Sequence, residues 1–298
     1  MQVIKDDQVV YSMSPKNKPV AEVQPGETLQ FVTKDCFGNQ ILTEKDLFES
    51  VGWATINPAT GPVYIKGAQP GDTLAVQIQD IAIADKGCMV TVPEMGYAGD
   101  VIKSSETKII AIENGQAVFN QKISIPVDPM IGVIGTAPAS EDIPCGTPGQ
   151  HGGNMDTRLI KKGSTLYLPV FVEGALLAMG DLHAVMGDGE VSVTGLEIPG
   201  QVTVKVDLIK GKSEPWPVLD VGDDWYVIAS AEDLDEAARL ALDAMLEFLE
   251  KRTDLSLNDR VSLLSACGKM EISQVVDPLK TVRMGISKTI MKNYALQF

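Results

Sequence analysis

The chain alternates apolar and polar residues over short stretches, each closed by turn residues. TLAVQIQDIAI (73–83) alternates through its first half and follows the turn PGD (70–72). A period of two marks a half-buried strand. TKIIAIENGQAVF (107–119) splits into two short runs around Asn114-Gly115, a pair that favours the tight turn of a β-hairpin. STLYLPVFVEG (164–174) and VTVKVDLIKG (202–211) continue the pattern. Strands this frequent, with turns at short intervals, predict a sandwich- or barrel-like body rather than a parallel α/β sheet.

One segment breaks the period. In SAEDLDEAARLALDAMLEFLEKR (230–252), Leu234, Ala238, Ala241, Met245, Phe248 and Leu249 fall on one stripe of a 3.6-residue helix. Ser230, with Asp233 three positions on, approximates a capping box, and Lys251 and Arg252 suit the negative helix end. LNDRVSLLSACGK (257–269) predicts a second helix, with NDR as its start. Both read as packing elements. The expected fold class is α+β: mainly β with added α helices. The chain is expected to form a single unit over residues 1–298, mostly β over 1–228, with a helical segment at 230–270 packed on it. No repeat, low-complexity stretch or clear linker divides it.

Composition narrows the function classes. With 298 residues, 44% hydrophobic and 22% charged, the chain is globular and long enough to bury a sizeable core. A metal is therefore not required for folding. The net charge of −15, from 40 acids and 25 bases, opposes binding to nucleic acid or to an anionic membrane. A small neutral or cationic ligand is compatible with it. Cys36, Cys88, Cys145 and Cys267 form no C-x-x-C pair, so zinc-ribbon and thioredoxin motifs are absent. The start MQVIKDDQVV has no apolar signal core, and no apolar run is long enough to span a membrane. A cytoplasmic protein with reduced thiols is expected.

The candidate chemistry gathers in two stretches. MGDLHAVMGDGE (179–190) holds one of only two histidines. If 180–186 is a strand, Asp181 and His183 share a face while Leu182 and Ala184 point to the core. A turn at Gly187-Asp188-Gly189 and a returning strand VSVTG (191–195) would bring Glu190 near His183. An imidazole among carboxylates suits a divalent metal, with a glutamate as general base. The same residues also read as a histidine satisfied by Asp181 beside a polar turn. QHGGNMDTR (150–158) carries the second histidine, His151, with Asn154 and Asp156 two apart. The Gly152 and Gly153 amides could stabilise an oxyanion, or the stretch could be a plain Asn/Gly turn. Cys145 lacks an activating signature and reads as inert. No nucleophile elbow, dinucleotide fingerprint, Walker loop or H-E-x-x-H helix occurs.

Several stretches, taken in order, resemble the acetamidase/formamidase family. They are NPATGPVYIKGAQPGDTLAVQI (57–78), IGVIGTAP (131–138), HGGNMD (151–156), STLYLPV (164–170) and GALLAMGDLHAVMGDGE (174–190), with TKDCFGNQI (33–41) similar to an early acidic motif. The resemblance implies a mostly β, sandwich-like fold and a homo-oligomer, a dimer or higher. It implies hydrolysis of a small aliphatic amide, of formamide or acetamide type, to carboxylate and ammonia. It implies a divalent metal, zinc in first place or calcium. Carried over by residue, Asp181 and His183 match G-D-x-H and Asp156 matches G-G-N-x-D, as metal ligands. Glu190 becomes a base or a further ligand, and Asn154 holds the amide carbonyl or orients Asp156. Glu94 is a second candidate base, and Asp35 and His151 are second-tier. The chain is shorter than the longer family members, which bears on substrate identity. Two other readings stay open: a non-catalytic, metal-stabilised oligomeric binding module, and a cysteine amidase using Cys145.

Overall fold

Alternation decides which side of each strand is buried. In strand Thr28–Thr33, Leu29, Phe31 and Thr33 are buried and their neighbours half-exposed. The computed structural model describes residues 1–294 and 296–298. Its largest sheet has nine strands, in the order Gln2–Ile4, Thr28–Thr33, Gly200–Ile209, Thr73–Ile83, Thr165–Pro169, Val218–Asp220, Asp224–Ala231, Lys280–Ser287 and Lys269–Gln274. A second sheet runs Gly152–Asn154, Met130–Gly135, Leu177–His183, Ala59–Ile65 and Val9–Val10, and Ala21–Val23 also pairs with Ala59–Ile65.

The two sheets share one core. Leu29, Phe31, Val76, Ile78, Val202 and Val204 from the first join Val63, Ile131, Ile134, Met179 and Leu182 from the second in a single buried cluster. This is the expected mainly β body with added helices. A four-stranded sheet contains the expected hairpin. Its strands Glu106–Glu113 and Gln116–Asn120 meet at Asn114 (φ 51°) and Gly115 (φ 74°), both left-handed as that turn requires.

Strand Asp224–Ala231 serves two cores through its period of two. Tyr226 and Ile228 point into the inter-sheet core. Trp225, Val227 and Ala229 join a second core beneath the helices. The first helix, Leu234–Glu250, lays Ala237, Ala241, Met245, Phe248 and Leu249 on strands Asp224–Ala231 and Lys280–Ser287.

The helix starts differ from the expectation. Ser230 lies in a strand, its hydroxyl bonded to that of Thr281 at 3.0 Å. Asp233 is the cap, accepting the Asp235 and Glu236 amides at 2.9 and 3.2 Å. Strand pairing to residue 231 claims Ser230 first. The second helix, Leu257–Cys267, is capped by Ser256 rather than by NDR. Beyond it the chain returns to the large sheet as the hairpin Lys269–Gln274 and Lys280–Ser287. No helix among the described residues is long and apolar enough to cross a membrane.

Asp233→Ala should lower unfolding free energy by about 1 kcal/mol, the usual effect of losing a cap. Phe248→Ala should lower it by about 3–5 kcal/mol. Urea denaturation followed by circular dichroism measures both, and a Phe248 loss no larger than the Asp233 loss would contradict the second core.

Candidate active site

Strand Leu177–His183 lies inside the second sheet, paired with Met130–Gly135 on one side and Ala59–Ile65 on the other. All seven of its residues are buried. Leu182 and Ala184 enter the inter-sheet core, as the parity predicts. Asp181 and His183 turn to the other side. His183 Nε2 lies 3.1 Å from Glu197, 3.5 Å from Asp181, 3.8 Å from Asp156 and 3.9 Å from Glu190. The structure thus brings four of the expected residues together, Asp156, Asp181, His183 and Glu190, and adds Glu197.

Glu190 arrives by a different route from the expected hairpin. Residues 191–195 form turns rather than a returning strand. Gly189 (φ 95°) and Glu190 (φ 46°) turn the chain instead of extending it. The loop is pinned to the C-terminal hairpin, where the Gly189 amide donates to the Ser273 carbonyl at 2.9 Å and the Val275 amide to the Gly189 carbonyl at 3.1 Å. Fully buried Arg283 bonds Asp188 and Glu271, each at 2.8 Å, and the Ser273 hydroxyl at 3.1 Å. Arg158 adds a 2.9 Å contact to Asp188. Asp188 is therefore fixed two residues before Glu190.

Two acids of the cluster went unmarked in the sequence. Glu197 faces His183 and Cys88 through isolated bridges. Its signal was weak: a lone charge between Leu196 and Ile198, both buried. Asp277, in the turn of the C-terminal hairpin, looks in sequence like an ordinary Asp-Pro turn. Gln274 Oε1 accepts the Val276 and Asp277 amides at 2.8 and 3.0 Å, and Asn154 Nδ2 donates to Asp277 at 2.9 Å. Asn154 therefore orients Asp277.

The other candidates lie elsewhere. Glu94 is exposed in a loop and does not line the site cavity. Asp35 is buried, but its Oδ1 accepts the Phe37 and Asn39 amides at 3.0 and 2.7 Å, which commits it to shaping that turn. Burial raises its pKa to about 6 against those bonds. His151 is buried outside the cavity lining, and burial alone holds its pKa down at about 4. The Gly152 amide is bonded to the Gly149 carbonyl at 3.0 Å, and neither Gly152 nor Gly153 lines the cavity. The oxyanion role expected of them has no place in this geometry. Burial pushes the Cys145 thiol up to about 12, so at neutral pH it is protonated and a poor nucleophile.

The site is electrostatically unbalanced. Asp156, Asp181, Glu190 and Glu197 are each at most 6% exposed, with Asp277 beside them. Burial, then the neighbouring Asp181, raises Asp156 to about 7, and burial raises Glu197 to about 8. Burial, then Asp156, pushes both Glu190 and Asp277 well above the carboxylate range. Burial opposes a charge on His183, yet Glu197 and Asp181 hold its pKa well above the usual imidazole value. Asp156 Oδ1, Asp181 Oδ1, Glu190 Oε2 and Glu197 Oε2 have no hydrogen-bond partner. Unpaired buried carboxylate oxygens call for protons or a cation.

The residues fit a divalent cation. Ligand atoms of Asp156, His183 and Glu190 lie within 4.8 Å of one another, as do those of Cys36, Asp181 and Glu197. Asp156 (φ 40°), Asp181 (φ 55°) and Glu190 (φ 46°) all hold left-handed backbone, at about 1 kcal/mol each or more. Gly132 makes the approach possible. A Cβ there would lie 2.5 Å from both Asp156 Oδ1 and Asp181 Oδ2.

A cavity of about 670 Å³ opens onto the cluster. Its lining divides chemically. Asn154, Asp156, Asp181, His183, Glu190, Glu197 and Asp277 form the polar part, and Phe37, Phe48, Ile56, Met95 and Val193 the apolar part.

Gly132→Ala should weaken any divalent-cation binding by on the order of 10- to 100-fold, read by isothermal titration calorimetry with zinc and calcium as probes; unchanged affinity would dissociate Asp156 and Asp181 from cation binding. His151 generates a pH effect. Its folded pKa, about 4, lies below the unfolded value of 6.5. Below pH 6.5 the unfolded chain binds a proton that the folded chain refuses, so stability falls as pH drops towards 4. The total is about 3 kcal/mol. The stability difference between wild type and His151→Gln, followed by urea titration from pH 7 to pH 4, should carry this slope.

The chain is similar to known proteins along most of its length. Residues 4–144 and 140–221 match the model of the Acetamidase/Formamidase family. The chain is 25% identical over 307 residues to a formamidase from Methylophilus methylotrophus, covering 79% of this chain and 74% of that one. It spans 62% and 65% of the length of two further curated relatives. An acetamidase from Bacillus halodurans is 45% identical, with a TM-score of 0.96 over 98% of this chain and 99% of that chain. A predicted acetamidase/formamidase from Thermoanaerobacter tengcongensis is 46% identical, with a TM-score of 0.97 over 100% of this chain and 99% of that chain. Relatives of this same shorter length therefore exist. The family match covers more than half of the chain, and two solved relatives share close to half of its residues: the chain belongs to the acetamidase/formamidase family.

Proposed function

We propose that this chain is an amidase, hydrolysing a small aliphatic amide to a carboxylate and ammonia in the cavity around His183. The observation that carries the reading is the buried cluster of Asp156, Asp181, Glu190 and Glu197 around one imidazole, with unpartnered oxygens at a cavity. Membership of a family that includes formamidases and acetamidases supports amide C–N cleavage as the chemistry.

The chain's own groups divide the work. Glu190 is the base: its Oε2 has no hydrogen-bond partner, and a neighbouring cation would favour its charged form against the burial that raises its pKa. It takes a proton from the attacking water and delivers it to the amide nitrogen as the C–N bond breaks. The loop held by Arg283 keeps that carboxylate in place. Glu197, 3.1 Å from Nε2, holds His183 in place while that nitrogen is protonated; as a cation ligand Nε2 would have no proton to donate to it. Asn154 Oδ1, also unpartnered, accepts an N–H of the substrate amide while Nδ2 holds Asp277. Apolar walls thin the water around the reacting groups, which strengthens each electrostatic interaction inside.

Asp156, Asp181 and His183 would hold the divalent cation, zinc in first place and calcium as the alternative. When bound, the cation supplies Lewis acidity, lowering the pKa of water and polarising a carbonyl.

The purified protein should release ammonia from formamide, acetamide or propionamide. Exhaustive chelation should abolish the activity, and zinc should restore it, with metal content followed by elemental analysis. Glu190→Gln should lower kcat by on the order of 100-fold or more, and His183→Ala should lower kcat/KM by at least as much. Full activity after verified metal removal would end the cation assignment. Full activity in His183→Ala would end the residue assignment.

A further inference from the structure

We propose that the amide hydrolysed here is a primary amide with an uncharged apolar acyl chain of about four to eight carbons, seated against Phe37, Phe48, Ile56, Met95 and Val193. This rests on the amidase reading and specifies the substrate of the same site.

Size is the first observation. The cavity measures about 670 Å³. A water occupies ~30 Å³ of its liquid. Acetamide, with four heavy atoms, therefore needs no more than ~120 Å³ on that scale. It would leave most of the cavity to water. Volumes of about 300–1,000 Å³ are those of sites that enclose larger organic ligands. An unbranched eight-carbon amide still fits.

The lining is the second observation. Phe37 and Phe48 meet edge to face, with centroids 6.1 Å apart. Both belong to a buried apolar cluster, to which half-buried Ile56, Met95 and Val193 are attached. These three line the cavity and keep apolar surface exposed in it. A wall built only to exclude water from formamide would not require a cavity of this volume. Covering the wall with methylenes removes apolar surface on both sides from water.

Charge is the third. The described lining contains no lysine or arginine, while four buried acids stand at the reacting end. An amide bearing a carboxylate would find no lysine or arginine in this lining to pair with it. Amino-acid and dicarboxylic amides are thereby disfavoured, and a neutral hydrocarbon chain is not.

The test is a homologous series from acetamide through butyramide to hexanamide, with initial ammonia release measured on the metal-loaded enzyme. The value of kcat/KM should rise roughly fourfold per added methylene, so hexanamide should exceed acetamide by on the order of 100-fold. Met95→Trp and Ile56→Phe, which fill the apolar part, should each lower the hexanamide-to-acetamide ratio at least tenfold. That ratio does not depend on the fraction of enzyme that folds. A flat or falling series with clear acetamide turnover overturns this inference and leaves the amidase reading standing. A rising series whose ratio is unchanged in both variants overturns the assignment to this wall. Ammonia from none of the amides overturns both.

Discussion

The crowding of carboxyl groups out of water around His183 is the constraint on which the rest of the structure depends. Taking an ion out of water leaves a penalty of several kcal/mol unless it is paired, protonated or bound to metal. Here four carboxylates share one imidazole, and several of their oxygens have no partner within the chain. Such a cluster spreads apart unless rigid backbone prevents it. The two-sheet core supplies that rigidity, because strand Leu177–His183 is hydrogen-bonded on both flanks. Gly132 supplies the space, since any side chain there would collide with two of the acids.

The C-terminal hairpin is the second support, although it lies far along the chain from the histidine. It provides Asp277, receives the 187–190 loop through the Gly189 hydrogen bonds, and buries Arg283 against Asp188 and Glu271. The helices contribute indirectly. They cover the outer face of strands Asp224–Ala231 and Lys280–Ser287, and so fix the strand that carries Arg283. Fold and site are thus coupled: the packing that buries Phe248 and Met245 also holds the loop that delivers Glu190.

The fold was largely legible in the sequence because its signals are periodic and local. Alternation located strands Thr73–Ile83, Thr165–Pro169 and Gly200–Ile209, and the Asn114-Gly115 pair located the hairpin. The 3.6-residue stripe located the first helix, although its start shifted from Ser230 to Asp233 because the preceding strand runs to Ala231. The C-terminal strands were missed. In KMEISQ the apolar Met270 and Ile272 are exposed while the polar Ser273 and Gln274 are buried, since these two turn towards Arg283 and the 277 turn.

The site was legible only in part, and the division has a physical reason. Side-chain parity in one strand settles that Asp181 and His183 share a side, and the motif in 151–156 marks Asp156; both are properties of a few consecutive residues. The sequence by itself therefore determined the β-rich body, the helical segment and the centre of the cluster. Only the tertiary structure decided that Glu197 and Asp277 complete it, that Glu94 stands apart in solvent, that Asp35 is committed to a turn, and that Glu190 arrives through a clasped loop rather than a hairpin. Those outcomes depend on loop paths and on contacts between segments about a hundred residues apart. No local pattern encodes such a contact, because its geometry is set by how separately formed sheets and helices pack.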